Sequence, residues 1–501
     1  MYIGDLVGLG QLIQGEPTTR IDRIVHDSRQ AGPGALFVAL PGTKFDGHLF
    51  VREALARGAS AVCVEQPVQL PPEVPVLLVE STRGALGQIA AHLYGHPSRS
   101  IRVIGVTGTN GKTTTTHLIR AILMAAGQKV GLIGTVHNLV GERELAATLT
   151  TPQASDVQAL LRAMVDDGCT YAVMEVSSEG LAMGRVADVE FDVAVFTNLT
   201  QDHLNYHKTF EAYRDAKGML FDQVERPGAK SRKVIILNQD DPAAAHYAAG
   251  RTAPVWTYSV GGSTPVMADG VRLRSNGTQF QLHLPDGIYP ISLLLAGQFN
   301  VANAMAAAAV GLAEGVSPAL IVQALSETPG VPGRMEAVAA GQPFGLFVDY
   351  AHSPDGLENV LKACQSFTQG RVLCVFGCGG DRDRTKRAKM GRIAAELADY
   401  SILTSDNPRT EDPLAILAEI EAGFRQVESA RPFYEVEPDR ARAIARAVEL
   451  AGDLDVVLIA GKGHETYQIF PDRTIDFDDR LVARAAIESR LGLERRPRDA
   501  G

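Results

Sequence analysis

Several protein classes are excluded by what this chain lacks. Its five cysteines (Cys63, Cys169, Cys364, Cys374 and Cys378) form neither a paired framework nor a CxxC zinc spacing, which points to a reducing compartment, the cytoplasm. No stretch reaches the roughly 18 uncharged apolar residues of a membrane span, so no membrane insertion is expected. The start, MYIGDLVGLGQLIQGE, has no basic region and no long apolar run, and a signal peptide is not expected. Basic residues are in deficit, 48 against 58 acidic ones, for a net charge of −10. A nucleic-acid partner would demand a basic face, so none is expected. A small anionic substrate stays compatible, because local Arg, Lys and Mg²⁺ dominate a site whatever the net charge.

What is present is a globular composition, 45% hydrophobic and 21% charged, on 501 residues. At about 150 residues per domain that length predicts three domains. The most informative stretch is IRVIGVTGTNGKTTTT, from Ile101 to Thr116. An apolar strand breaks into a Gly-rich turn (Gly108, Thr109, Asn110, Gly111) and restarts as a helix with Lys112, Thr113 and Thr114. Backbone N–H groups at a helix N-terminus cradle polyphosphate, Lys112 supplies a point charge, and the Thr113 hydroxyl suits Mg²⁺. ATP or GTP is the expected ligand. The usual GxxxxGK[ST] spacing places a glycine at position 106, where Val106 stands.

The rest of the chain divides around this loop. Residues 1–97 read as a small α/β domain, with polar loops at Asp27–Arg29 and Thr43–Asp46. Tyr94-Gly-His-Pro-Ser98 marks a boundary. Residues 98–332 alternate strands and helices, as a mainly parallel sheet does. The strand YAVMEV carries Glu175, and VAVF leads to TNLTQDHLNYH. In such sheets ligands bind beyond the carboxyl ends of strands, so Glu175, Ser177, Ser178 and His203 are expected in one crevice with Thr113. His203 reads either as a metal ligand or as a capping or core histidine. His203 and His207 have i, i+4 spacing but no third cluster for zinc. Lys217 lies mid-helix with Tyr213, Leu220 and Phe221 at helical spacing, either partly buried or snorkelling to water. A β-rich stretch at 253–291 precedes an Ala-rich helix bearing Asn300 and Asn303, and Thr328–Gly333 reads as a linker. Residues 333–501 repeat the α/β rhythm. Gly377 and Gly379 suggest a dinucleotide loop, but Arg382 occupies the third glycine position. Gly461-Lys-Gly463 is too short for a second phosphate loop. Arg382, Arg384, Lys386 and Arg387 read as a solvated helix start or an anion clamp.

Taken together these motifs resemble the Mur ligase family. TGTNGKTTT is similar to its shortened phosphate loop, and MEVSSEGL, NLTQDHLNYH, YRDAK..LF, GQFNVANAMAA, PGRME and VDYAHSPD follow in the family's order over nearly the whole chain. DSR..GPGALFVAL resembles the uridine-nucleotide domain of the members that add the third stem-peptide residue. The resemblance implies a P-loop-type central ATPase, a Rossmann-like C-terminal domain and a small α/β N-terminal one. It also implies an ATP-dependent ligase of peptidoglycan synthesis that phosphorylates the D-glutamate carboxylate of UDP-N-acetylmuramoyl-L-alanyl-D-glutamate and couples it to an amine, with Mg²⁺.

By the same matching, Lys112, Thr113, Glu175, His203 and Lys217 are the catalytic and metal residues, Lys217 as N6-carboxylysine. Gly108 to Thr114, Asn300, Asn303, Arg334 and Asp349 are assigned to ATP. Ser28, Thr43, Lys44, Phe45, Thr150, Thr151, Ser177 and Arg185 are assigned to the uridine-sugar substrate. Glu179, Met183 and Leu149 depart from relatives that carry His, Gln and Asn there. Asp406-Asn407-Pro408-Arg409 is similar to the motif of members using meso-diaminopimelate, whose distal carboxylate a guanidinium clamps bidentately. Arg382, Gly461 and Glu465 complete that set, Glu465 for the distal ammonium. The partners implied are small molecules, and the chain is expected to be a monomer. Alternatives are lysine or another diamino acid as acceptor, a folylpolyglutamate synthase of the same superfamily, a P-loop switch or kinase, or a silent nucleotide binder.

Overall fold

The computed structural model describes residues 1–42, 45–274, 277–427 and 433–492. Its backbone is the expected alternating α/β architecture, with three main sheets. By proximity the chain forms two compact units. One comprises Met1–Gly108, Leu123–Leu199 and His203–Thr257; the other comprises Thr109–Ile122, Thr200–Asp202 and Tyr258 onward.

The first unit begins with a sheet ordered Gln11–Gln14, Val76–Leu78, Ala61–Val64, Ala35–Val38, Arg23–Val25. All its pairings are parallel except that of the first edge strand. ALFV and AVCV are buried throughout, the continuous apolar run of a strand covered on both faces. The helix Thr82–Leu93 is started by Ser81, whose Oγ accepts from Gly84 N–H. The next sheet places the phosphate-loop strand Arg102–Thr107 between Val193–Phe196 and Tyr171–Glu175, with Val234–Asn238 and Val130–Ile133 outside them. All these strands are parallel to their neighbours, and Glu175 pairs with Val106 and Phe196 with Thr107. Three strands therefore end at one level, as a strand-end ligand site requires. Gly108 follows with φ +152°, and a Cβ there would fall 1.9 Å from Thr197 Oγ1, so this turn admits only glycine.

In the second unit the β-rich stretch is an antiparallel meander of Val266–Arg274, Gly277–Leu284 and Gly287–Leu293. The Ala-rich helix spans Gln298–Ala313, buried along most of its length. The last sheet runs Glu336–Ala337, Gly345–Asp349, Val456–Ala460, Val372–Phe376, Tyr400–Leu403, Phe433–Val436, parallel after its first pair. Helices Pro354–Phe367, Pro413–Phe424 and Arg440–Leu450 start on Ser353, Asp412 and Asp439, whose side chains accept from the first turn. Parallel strands ending at Asp349, Phe376, Leu403 and Ala460 carry their loops to one edge. Every residue expected to hold the incoming amino acid lies on those loops. Among the described residues no helix is long and apolar enough to cross a membrane.

Candidate functional site

The first unit contains a carboxylate site and a hydroxyl cluster. Glu175 is buried, and its Oε1 accepts from Thr135 N–H at 2.7 Å while Oε2 lies 3.0 Å from Thr135 Oγ1. That hydroxyl is also 3.1 Å from Thr150 Oγ1. Thr151 Oγ1 donates to the Glu175 carbonyl at 3.0 Å and accepts from Ser177 N–H at 2.9 Å, and Arg185 Nη1 donates to the Thr151 carbonyl. Thr150, Thr151, Ser177 and Arg185 are thus brought together. Burial holds the Arg185 guanidinium below its usual range, with the nearby Arg83 charge adding to the effect. Arg185 Nη2 reaches Met183 Sδ, and its Nε is buried without an acceptor among the described residues. Leu149 is exposed. Of the other expected sugar-nucleotide residues, Ser28 is buried in a short 3-10 turn capped by Asp27, and Phe45 is exposed. Thr43 and Lys44 lie outside the described residues.

Around Tyr213 stand the other ionisable groups. His203, in the left-handed region at φ +54°, places Nδ1 3.5 Å from Glu179 Oε1, and this partner holds the Glu179 carboxyl below its usual range. Lys217 is 1% exposed: it is fully buried and does not snorkel. Its Nζ donates to the Gly108 carbonyl at 2.8 Å and lies 4.4 Å from the Tyr213 ring centroid. His207 is buried beside the same ring, and burial pushes its imidazole down. Among the described residues no group of three or more His, Cys, Asp or Glu converges. An all-protein metal cage is therefore absent there. The Glu175 carboxylate is an oxygen donor of the kind that Mg²⁺ takes, an ion that keeps water and substrate phosphate oxygens among its ligands.

In the second unit, the phosphate-loop helix begins at Lys112 directly after Gly111 at φ +85°. A Cβ on Gly111 would fall 2.3 Å from Asn303 Oδ1, which accepts from Thr115 Oγ1. Asn303 Nδ2 donates to Asn300 Oδ1, and Asn300 Nδ2 to the Ala296 carbonyl. Both asparagines are buried and brace the loop from behind. Lys112 Nζ folds onto the Thr109 carbonyl at 2.8 Å. Arg334 Nη2 donates to Thr113 Oγ1 at 3.1 Å, its guanidinium lies over the Tyr350 ring, and its Nε is buried without an acceptor among the described residues. Asp349 accepts from Met335 and Ala351 N–H, and burial raises its carboxyl. Asp355, which the sequence reading passed over, accepts from Asn110 Nδ2 at 2.7 Å and Thr200 Oγ1 at 3.0 Å and lines a cavity of about 450 Å³.

The acceptor candidates meet around Tyr467. Burial raises its phenol, the Glu465 and Asp406 carboxylates raise it further, and the Arg409 and Arg382 charges oppose them. Asn407 Nδ2 donates to Glu465 Oε2 at 2.9 Å, and Arg409 Nη1 donates to the Gly380 carbonyl at 2.9 Å. No acceptor among the described residues meets Arg409 Nε or Nη2, nor any atom of the exposed Arg382 side chain. Both guanidiniums keep donors for an anion. The glycines of Gly377–Gly380 serve approach, not dinucleotide binding. A Cβ on Gly380 would fall 1.8 Å from the Pro408 carbonyl oxygen, and one on Gly379 2.8 Å from Arg409 Nη1. Gly461, at φ +116°, brings its backbone against Asp406.

The basic run 382–387 is neither a solvated helix start nor an anion clamp as a whole. Arg387 is fully buried, paired with Glu411 and Glu419, and Arg384 also pairs with Glu419. Lys386 donates to the His352 carbonyl at 2.6 Å, and Arg382 meets no acceptor among the described residues. The residues missed by sequence reading were Asp355, Tyr467 and Lys462; the last bonds both Asn407 and Glu465. Its one signal was a lysine between two glycines immediately after a buried strand.

This combination of a shortened phosphate loop, a strand-end carboxylate and polar C-terminal strand-end loops fits an ATP-dependent amide ligase. Three family descriptions match the chain: the Mur ligase middle domain over residues 106–311, the Mur ligase glutamate ligase domain over 333–463, and the Mur ligase family catalytic domain over 20–94. The chain belongs to the Mur ligase family. It is 49% identical over 465 residues to UDP-N-acetylmuramoyl-L-alanyl-D-glutamate–2,6-diaminopimelate ligase of Geobacillus thermodenitrificans, covering 93% of this chain and 94% of that one. To the enzyme of the same name from Syntrophomonas wolfei it is 45% identical over 481 residues, 96% and 97% of the two chains. A solved structure of that name superposes with a TM-score of 0.67 at 32% identity, over 98% of this chain and 99% of the other.

Proposed function

We infer that this chain is an ATP-dependent ligase that adds meso-2,6-diaminopimelate to UDP-N-acetylmuramoyl-L-alanyl-D-glutamate in peptidoglycan synthesis. The observation that carries the acceptor assignment is Arg409, with Nε and Nη2 unspent beside Asn407 and Glu465. A planar guanidinium with two open donors suits a distal carboxylate, which diaminopimelate has and lysine lacks.

A carboxylate resists attack by an amine because oxide is a poor leaving group. Transfer of the γ-phosphoryl group of ATP to one D-glutamate oxygen gives an acyl phosphate and ADP. The amine then attacks the acyl carbon, phosphate departs with the C–O bond electrons, and the amine proton is lost to solvent or base. Lys112 and the N–H groups of Gly108–Thr114 are assigned to the phosphates, with Arg334 and Asp349 beside the nucleotide and Asn300 and Asn303 bracing the loop. Thr113, Glu175, His203 and a carbamate on Lys217 are assigned to Mg²⁺, which when bound offsets the repulsion between phosphate and carboxylate. The uridine-sugar end is assigned to Ser28, Thr43, Lys44, Phe45, Thr150, Thr151, Ser177 and Arg185. Arg382, Asp406, Asn407, Pro408, Arg409, Gly461 and Glu465 are assigned to diaminopimelate. Residues 1–97, 98–332 and 333–501 are read as the uridine-nucleotide, ATP and amino-acid domains of a cytoplasmic monomer.

Phosphate release with an acceptor panel tests this reading. Turnover is expected only with ATP, the UDP-muramoyl dipeptide and diaminopimelate together. Equal use of lysine or ornithine overturns the specificity, and release without any amine overturns the ligase assignment.

A further inference from the structure

One buried charge at the acceptor loops has no role in the reading so far. Gly461–Gly463 leaves the strand Val456–Ala460 with its backbone fixed on both sides. Gly461 N–H donates to the Asp349 carbonyl at 3.0 Å, and a Cβ on Gly463 (φ +55°) would fall 2.7 Å from Tyr350 Cβ. Between them the Lys462 side chain is fully buried. Its ammonium donates to Asn407 Oδ1 at 3.1 Å and to Glu465 Oε2 at 3.0 Å, and lies 5.5 Å from the Tyr467 ring centroid. Asn407 Oδ1 also accepts from Ile469 N–H, and Asn407 Nδ2 donates to the same Glu465 Oε2. That amide is thereby oriented. Glu465 Oε2 is filled by two donors, while Oε1 meets none among the described residues. The carboxylate is thus offered to a ligand by one oxygen, with a fixed positive charge behind it.

We propose that Lys462 is a specificity-determining residue that selects an acceptor whose far end is zwitterionic over one whose far end is a bare ammonium. This rests on the ligase reading above and deepens it. Lys462 neutralises Glu465, so the pair presents little net charge. Of the other charges around Tyr467, Arg409 and Arg382 outweigh Asp406, so the pocket is positive. An ammonium arriving alone at Glu465 Oε1 meets two like charges, one of them shielded from water, where repulsion is screened least. An ammonium that arrives with a carboxylate brings no net charge, and its carboxylate takes the open edge of Arg409. Arg409 attracts the right end, and Lys462 repels the wrong one.

The test is the ratio of kcat/KM for lysine to that for diaminopimelate, measured by phosphate release. Lys462→Gln keeps a hydrogen-bonding side chain but removes the charge, and is expected to raise the ratio by about tenfold or more. Lys462→Arg keeps the charge and the wild-type ratio. Glu465→Gln leaves the Lys462 charge uncompensated and is expected to lower the ratio further, so the two glutamine variants move it in opposite directions. A purely structural lysine would depress both acceptors equally and leave the ratio unmoved, which overturns the proposal. Should Lys462→Gln fail to fold, a ratio in Glu465→Gln that stays level or rises overturns it equally. A wild type that uses no diamino acid at all defeats the ligase reading instead, a distinct outcome.

Discussion

Among the described residues two lysines, Lys217 and Lys462, are fully buried, and they meet different acceptors. Lys217, in the first unit, donates to the carbonyl of Gly108 and faces the ring of Tyr213. Lys462, in the second, sits in an ion pair with Glu465. An ammonium out of water is costly unless an opposite charge compensates it. Glu465 gives Lys462 that opposite charge. The resemblance to the Mur ligases implies a different state for Lys217, a carbamate formed when a neutral amine adds CO₂. We propose that the same side chain in equal burial is a fixed charge in one place and a modified amine in the other. The sharpest break of this comparison is Lys217→Ala. Activity is expected to fall more than about ten-thousandfold and not to return with bicarbonate, since transition-state electrostatics are lost with the carbamate. A carbon-13 NMR carbamate signal after loading with labelled bicarbonate should vanish in the variant and persist in Lys462→Arg. A full-rate Lys217→Ala enzyme would falsify the assignment.

Two arginines extend the contrast from spent to unspent donors. Arg440 and Asp479 are both 0% exposed and joined by two bonds of 2.7 Å, and Arg440 also reaches the carbonyls of Ser405 and Ala460. This arginine ties the loop before Arg409 to the loop before Lys462. Arg440→Met strands Asp479 without its counter-charge and is expected to cost about 3–5 kcal/mol, read from urea midpoints. Replacing the pair together should recover much of that loss; no recovery would mean the arginine acts through its carbonyl bonds alone. Arg409, with its outer edge open, should behave in the opposite way. Arg409→Ala is expected to lower kcat/KM for diaminopimelate about a hundredfold while leaving the unfolding midpoint within about 0.5 kcal/mol. The KM for ATP should stay within about twofold. A matching loss of ATP affinity would mean that Arg409 serves the nucleotide.

What was legible in the sequence followed chain distance. The phosphate loop, the strand-end Glu175 and the DNPR segment are local patterns, and each lies on the loop where its strand ends. Lys217 showed its buried face through Tyr213, Leu220 and Phe221, but its partner Gly108 stands 109 residues away. Lys462 was read as an unusable fragment of a phosphate loop because Asn407 lies 55 residues off. Arg387 looked solvent-facing in a basic run because Glu411 and Glu419, which bury its charge, belong to a later loop and helix. A pattern of residue types gives the period of an element, and a charge's meaning depends on what packs against it.

The smallest expected effect concerns a half-buried carboxylate that no hydrogen-bond donor meets among the described residues. Asp188 is half-buried beside a cavity of about 200 Å³, and a Cβ on Gly87 would fall 2.2 Å from its Oδ2. Among the described residues no hydrogen-bond donor meets its carboxylate. Burial lifts its pKa from 3.8 to about 6, with the Arg226 charge opposing. A carboxyl whose folded pKa exceeds the unfolded one binds more protons in the native state. Stability is therefore greatest below the unfolded value and falls as pH rises through about 6, then levels off. Asp188→Asn removes the charge that causes this loss. It is expected to stabilise the protein by about 1–2 kcal/mol near neutral pH once solvent screening of the half-exposed carboxyl is counted, and by almost nothing at about pH 4. Urea midpoints at the two pH values check it. An equal gain at both would assign the effect to side-chain packing, and a loss near neutral pH would mean that Asp188, like Glu465, has a partner that its charge serves.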